Sequence, residues 1–270
     1  MSEALNPQVI RQRLATSIGP RHAAGFELRV VAETGSTNDD ALRMAENGAP
    51  DGTVVFAESQ TAGRGRRGDA WVSPSGTNLL FSILLRPSAP IGSWTRIPHL
   101  AGLAVCRALE HVFPDLPTPM LKWPNDVYLT DRKLAGILVE SRSWKGEPPV
   151  AVLGIGLNVN LLPDQFPEEL RSIATTLRAH TGQLMDRNEL AAAILAEWAV
   201  VYPSALTGNF SRVREELQTR SWLMGKNLTV LSGNREISGQ VVEVGPEGEL
   251  ILQRQNGDRE TILSADRVSW

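Results

Sequence analysis

An apolar run, Thr53-Val54-Val55-Phe56-Ala57, leads shortly into Gly63-Arg64-Gly65-Arg66-Arg67-Gly68. The first segment reads as a buried strand. The second has a flexible backbone, exposed N–H groups and three guanidiniums. A fold that holds both carries an apolar sheet whose end opens onto a cationic loop. Arginine presents a planar fork of donors that matches carboxylate and phosphate oxygens. The loop therefore suits an anionic small ligand, above all one bearing phosphate. A solvated surface loop, or an RNA-binding Arg/Gly segment, is the competing reading.

Charge separates these readings. The net charge is −3, so there is no global basic field for DNA or RNA, and the positive charge of the loop is local. With a single cysteine, Cys106, set in an apolar helical pattern, no intramolecular disulfide forms and a reducing compartment is expected. The four histidines (His22, His99, His111, His180) lack metal-ligand spacing. No apolar stretch is long enough to span a membrane and no signal-peptide pattern opens the chain, so a cytoplasmic protein is expected.

The pattern of elements predicts an α+β main domain with a mixed sheet flanked by helices, over residues 1–221. Strands are expected at 26–31, 53–58, 78–85, 122–129, 136–141 and 150–161, with a charged turn at Asp131-Arg132-Lys133. Helices are expected at 5–17, from Ser36 to about Gly48, at 97–113, at 170–181 and at 188–206. Ser36 or Thr37 is a candidate N-cap, and an acid three residues on completes a capping-box pattern. From Trp222 the chain changes to short strands with turn signals at Ser232-Gly233-Asn234 and Asn256-Gly257-Asp258. Residues 222–270 thus read as a small barrel-like domain.

Three further segments carry candidate chemistry. In Lys122-Trp123-Pro124-Asn125-Asp126, an ammonium beside an apolar strand is costly unless it meets an anion, and it suits a phosphate or a carboxylate. Asp126 is placed to orient a metal or to hold Lys122; a salt-bridged turn is the plainer alternative. Lys133-Leu134-Ala135-Gly136 sets a lysine at a strand entrance, where it meets a triphosphate or only solvent. Gly154-Ile155-Gly156-Leu157-Asn158-Val159-Asn160 puts two glycines inside a strand, which marks a close approach by a flat ligand edge or by a packed helix. No P-loop, dinucleotide fingerprint or serine-hydrolase elbow is present.

These segments, in this order from residue 33 to 160, together resemble the biotin protein ligases. The segments that carry the resemblance are Ser36-Thr37-Asn38, Gln60 through Gly68, Trp71-Val72-Ser73-Pro74-Ser75-Gly76-Thr77-Asn78-Leu79, Lys122 through Asp126, Lys133 through Leu138, and Gly154 through Asn160. The tail, with Gly245-Pro246-Glu247-Gly248-Glu249-Leu250, is similar to the family's SH3-like C-terminal domain. The resemblance implies a class II synthetase-like catalytic domain with an SH3-like β-barrel behind it. It implies two steps: biotin and ATP with Mg²⁺ give biotinyl-5′-AMP, and the acyl group then passes to a lysine on a biotin carboxyl carrier domain of a carboxylase.

By the same resemblance, Ser36, Thr37, Asn38, Gln60, Arg64, Gly65, Arg66 and Lys122 bind biotin. Arg67, Trp71, Asn125, Lys133 and Asn158 bind ATP or the adenylate. Lys122, Arg64 and Arg66 are the catalytic set, and Asp126 is the metal candidate. Asp69 departs from the pattern, standing where many relatives carry a base. About thirty residues precede Ser36, too few for the winged helix-turn-helix of the bifunctional ligase-repressors, so no operator binding is expected. Exposed sheet edges leave a homodimer open. A lipoate or octanoate ligase is the sister reading, and a nucleic-acid-binding or regulatory module is the non-enzymatic one.

Overall fold

The computed structural model describes residues 3–207, 210–233 and 235–270. In chain order, α1 (Pro7–Ile18) and α2 (Pro20–Ala23) precede β1 (Glu27–Thr34), α3 (Thr37–Glu46), β2 (Thr53–Gln60), β3 (Leu79–Leu85) and α4 (Ile97–Val112). Then come β4 (Met120–Lys122), β5 (Asp126–Leu129), β6 (Arg132–Arg142), β7 (Val150–Leu157), α5 (Leu177–Thr181), α6 (Arg187–Thr207) and α7 (Phe210–Thr219). β8 (Asn227–Ser232), β9 (Arg235–Val244), β10 (Leu250–Gln253), β11 (Arg259–Ile262) and β12 (Arg267–Ser269) follow. The main sheet is ordered β1-β2-β3-β7-β6-β5-β4, and only its β1–β2 pair is parallel. This is the mixed sheet expected.

Side chains alternate across the sheet and sort into two cores. Val54, Phe56, Phe81, Ile83, Leu153 and Ile155 pack with α1, α4 and α6, the same core that holds Cys106. Burial pushes that thiol up to about 12, so it behaves as a small hydrophobe. On the opposite face, Val55, Leu84, Val150 and Val152 meet Ala41 and Ala45 of α3. This second layer is thin. Beyond α3 the same face continues along β6 and β7 through Gly136, Gly154 and Gly156, paired as Gly136↔Gly156 and Leu138↔Gly154. That stretch becomes the floor of a cleft.

Several elements differ from expectation. The strand expected over 122–129 is a hairpin of β4 and β5 around Trp123-Pro124-Asn125, because proline cannot donate to a ladder. β6 begins at Arg132, and the turn before it narrows to Thr130 and Asp131, both with positive φ (45° and 57°), as a two-residue hairpin turn demands. The helix expected over 170–181 survives only as α5. Before it, Lys133 N donates to Ile173 O and Thr175 N to Lys133 O, so the segment is held extended against β6. Thr176 then caps α5 by accepting from Ala179 N. β7 ends at Leu157, after which Asn160 N donates to Thr77 O. The capping box of α3 does not form. Ser36 makes no side-chain cap bond, and Asp39 and Asp40 pair with Arg64 and Arg43 instead.

The C-terminal strands form an all-antiparallel sheet ordered β11-β10-β9-β8-β12, consistent with an SH3-like unit but not closed into the expected barrel. Closure needs strands that tilt and stagger around an axis, and β11 and β12 span only four and three residues. Gly257 takes the positive φ that its turn signal requires; Asn234, in the other turn signal, lies outside the described residues. The core of this sheet contains Leu228, Val230, Val241, Leu250, Leu252 and also Trp123, contributed by the β4–β5 hairpin.

Candidate active site

The cleft over the glycine floor has a volume of about 680 Å³ and brings together Ser36, Thr37, Asn38, Gln60, Arg64, Gly65, Arg66, Arg67, Trp71, Lys122, Asn125, Asp126, Lys133 and Asn158. Every sequence-predicted site residue therefore meets in one place. The floor explains the glycines. A Cβ on Gly154 would lie 2.2 Å from Asn38 Oδ1, and one on Gly156 would lie 2.6 Å from the Trp71 ring. The close approach is thus made by the protein's own amide and indole. The Trp71 ring sits against both Gly136 and Gly156, and its buried Nε1 has no hydrogen-bond partner among the described residues.

At one end the α3 N-terminus supplies neutral donors and acceptors. Gln60 Oε1 accepts from Thr37 N at 2.8 Å and from Thr37 Oγ1 at 3.1 Å. Buried Ser82 Oγ lies 2.6 Å from Asn38 Oδ1 and 2.7 Å from Thr37 Oγ1. Asn38 Nδ2 donates to Glu140 Oε2 at 2.6 Å. Ser82 and Glu140 escaped the sequence reading. For Glu140 a signal existed: it follows Gly136 and Leu138 at a spacing of two, which puts all three on one face of β6.

The Gly/Arg loop is a small hairpin over this end. Trp71 N donates to Gly63 O, Gly65 N to Asp69 O, and Gly68 N to Gly65 O, with Gly68 at φ +80°. Arg64 forks onto Asp39 with contacts of 2.9 and 2.6 Å, and its Nη2 lies 3.2 Å from both Glu140 oxygens. Hydrogen bonding to Arg64 holds the Asp39 carboxyl below its usual range. Arg67 Nη2 donates to Ala265 O at 3.0 Å, tying the loop to the segment between β11 and β12. Arg66 makes no ion pair among the described residues, and burial, followed by repulsion from Arg67, lowers its pKa.

The other end is cationic. Lys122 Nζ donates to Tyr128 Oη at 2.7 Å and sits 4.1 Å from the Trp270 ring centroid. Burial is the main cause of its lowered pKa, and Lys133 and Lys226 add to it. Asp126 does not hold Lys122 in an ion pair, one of the two roles weighed for it. Its Oδ1 lies 2.6 Å from Lys133 Nζ, yet off the axis of a hydrogen bond, so this buried oxygen accepts none. Asn125 Nδ2 donates to Ile137 O at 2.6 Å, which locks the hairpin onto β6. Asn158 is buried beside Asn78, and Leu177 N donates to its backbone oxygen. Among the described residues no three His, Cys, Asp or Glu side chains cluster to hold a metal, and no helix is long and apolar enough to cross a membrane.

The C-terminal sheet is bolted to this end. Trp123 Nε1 donates to Gly248 O at 3.1 Å, and Arg96 pairs with Glu247 at 2.7 Å. His99 packs against Gly248, where a Cβ would lie 2.3 Å from its ring. Burial, and then the charge of Arg66, push the His99 pKa down to about 4.

Comparison with known proteins fits this geometry. Residues 30–158 match the model of the biotin/lipoate A/B protein ligase family. The chain is 37% identical to the biotin–[acetyl-CoA-carboxylase] ligase of Mycobacterium tuberculosis, over 98% of this chain and 97% of that protein. The chain belongs to the biotin protein ligase family. It is also 32% identical to the bifunctional ligase/repressor BirA of Bacillus subtilis, over 97% of this chain and 78% of that protein. The biotin protein ligase of Aquifex aeolicus, solved in complex with biotin and ATP, superposes with a TM-score of 0.78 at 31% identity, covering 90% of this chain and 97% of that one.

Proposed function

We propose that this biotin protein ligase uses the cleft to join biotin to ATP, giving biotinyl-5′-AMP and pyrophosphate, and then passes the acyl group to a lysine of a carboxylase carrier domain. The observation that carries the reading is the division of the cleft. A neutral hydrogen-bonding end (Ser36, Thr37, Asn38, Gln60) and a cationic end (Arg66, Lys122, Lys133) share one glycine floor under Trp71. A substrate with a polar uncharged head and a carboxylate tail, meeting a triphosphate, matches both ends.

The α3 side chains and Gln60 take the ureido ring, and the backbone of Gly65 closes over the chain of the acid. Lys122 and Arg66 draw the carboxylate and the α-phosphate together. Two anions repel in water, and fixed cations offset that repulsion and the charge growing at phosphorus. A carboxylate oxygen attacks the α-phosphorus and pyrophosphate leaves. In the second step the neutral amine of the acceptor lysine attacks the acyl carbon, AMP departs with the bonding pair, and the nitrogen loses a proton. Trp71 and Asn158 flank the adenylate. Arg67 and Asn125 hold the walls through Ala265 O and Ile137 O. The hairpin loop shields the mixed anhydride from water.

Asp126 is the carboxylate nearest the cationic end that could receive a hard cation delivered with the nucleotide, although its Oδ1 is ion-paired with Lys133 at 2.6 Å and the ammonium would have to give way. Mg²⁺ held there would neutralise charge on the phosphate chain, with Lys133 beside it. Residues 1–221 form the catalytic unit and 222–270 the SH3-like unit in this reading.

ATP–pyrophosphate exchange with biotin, lipoate or octanoate tests the assignment. Exchange that depends on biotin and Mg²⁺ is expected. Exchange with lipoate or octanoate in its place moves the chain to the sister activity, and no exchange with any acid refutes adenylation.

A further inference from the structure

Arg64 is the most fully paired cation of the cleft, and its neighbours are not. Its fork closes on Asp39 of α3 at 2.6 and 2.9 Å, and the same guanidinium reaches Glu140 of β6 at 3.2 Å. Arg66 and Lys122 face the cleft without a carboxylate ion-pair partner among the described residues. Two carboxylates already engage the Arg64 guanidinium, so an incoming carboxylate or phosphate would have to displace them there, whereas Arg66 and Lys122 are open to it.

The loop itself has little else to hold it. Its backbone ladder is short, Gly65 through Ala70 lie partly or fully exposed, and its other side-chain tie is Arg67 to Ala265 O. We infer that Asp39 and Glu140 form a carboxylate latch: positioning residues that clamp Arg64 and so hold the Gly/Arg loop over the cleft, leaving the ligand's anions to Arg66 and Lys122. Glu140 also accepts from Asn38 Nδ2, so the latch shares one carboxylate with the neutral end of the cleft, and occupancy there is felt by the loop. The inference rests on the adenylating reading only for what the loop shields.

The test uses the full chain as Asp39→Asn, Glu140→Gln and the double variant, with Asp39→Glu as the conservative control. Amide hydrogen exchange of residues 63–70 is read in ligand-free protein. Escape of biotinyl-5′-AMP is read as hydroxamate formed with hydroxylamine. A partly exposed ion pair gives an expected two- to fivefold faster loop exchange in each single variant, roughly. The double variant is expected to exchange faster still, with faster hydroxamate release and no fall in the KM for biotin. Asp39→Glu should restore most of the protection. Raising salt from about 0.05 to about 0.5 M should loosen the wild-type loop and leave the double variant unmoved.

Unchanged loop exchange overturns the latch. So does a lowered KM for biotin or ATP in Asp39→Asn, which would mean that Asp39 was keeping Arg64 from the ligand. If the wild type makes no adenylate, the functional reading fails, while hydrogen exchange still decides the latch.

Discussion

Glycine appears twice in this cleft for opposite reasons. On the floor, Gly154 and Gly156 lie in β7 with extended backbone, and they matter because they lack a Cβ: Asn38 and Trp71 occupy the space. At the rim, Gly68 takes φ +80° with nothing within 4 Å of where a Cβ would stand, and it matters for its backbone alone. The floor is uncharged and closely packed. The rim carries the charge and is pinned by a few side-chain ties. Shape should therefore be lost from the floor, and rate from the rim.

The sharpest test of that division is Lys122→Ala. Removing a preorganised cation is expected to cost on the order of 10²–10³ in the rate of pyrophosphate exchange. Tm should stay close to wild type, because Lys122 packs on aromatic rings at the rim and not in the sheet core. Near-normal exchange would break the assignment of chemistry to the rim. A smaller and different effect is expected from Gly156→Ala. The added methyl collides with the Trp71 ring, and overpacking of this kind costs about 1–3 kcal/mol. It should appear as a lowered Tm together with weaker biotin binding by calorimetry; wild-type values for both would show that Trp71 is free to move. Gly68→Ala should be mildest, about 1 kcal/mol for forcing an L-residue into the left-handed region. Faster loop hydrogen exchange with unchanged Tm is the expected reading, and a lowered Tm would mean that the rim is as integral to the fold as the floor.

The floor was largely legible in the sequence. Apolar periodicity located the strands of the main sheet, and two glycines in a strand announced a close approach, although not which groups would make it. The rim was legible as chemistry but not as pairing. Arg64 lies 25 residues from Asp39 and 76 from Glu140, and nothing local in the chain encodes such contacts. Asp39 looked like part of a helix cap because capping depends on near neighbours, whereas a guanidinium across the cleft supplied the stronger partner. Asn125 was legible as a cleft residue, but not the bond its amide makes to a backbone carbonyl of β6. The segment before α5 read as helix because its own residues permit one; hydrogen bonds to Lys133 decided otherwise.

Trp123 stands next to Lys122 in the chain, yet its ring belongs to the core of the C-terminal sheet. The two units are consequently a poor place to cut and splice. A chimera that took its tail from one relative and its β4–β5 hairpin from another would join a tryptophan to a socket shaped for a different ring, and the mismatch would be felt one residue away, at Lys122, the residue proposed to draw the two anions together. Tail and hairpin should be inherited as a matched pair.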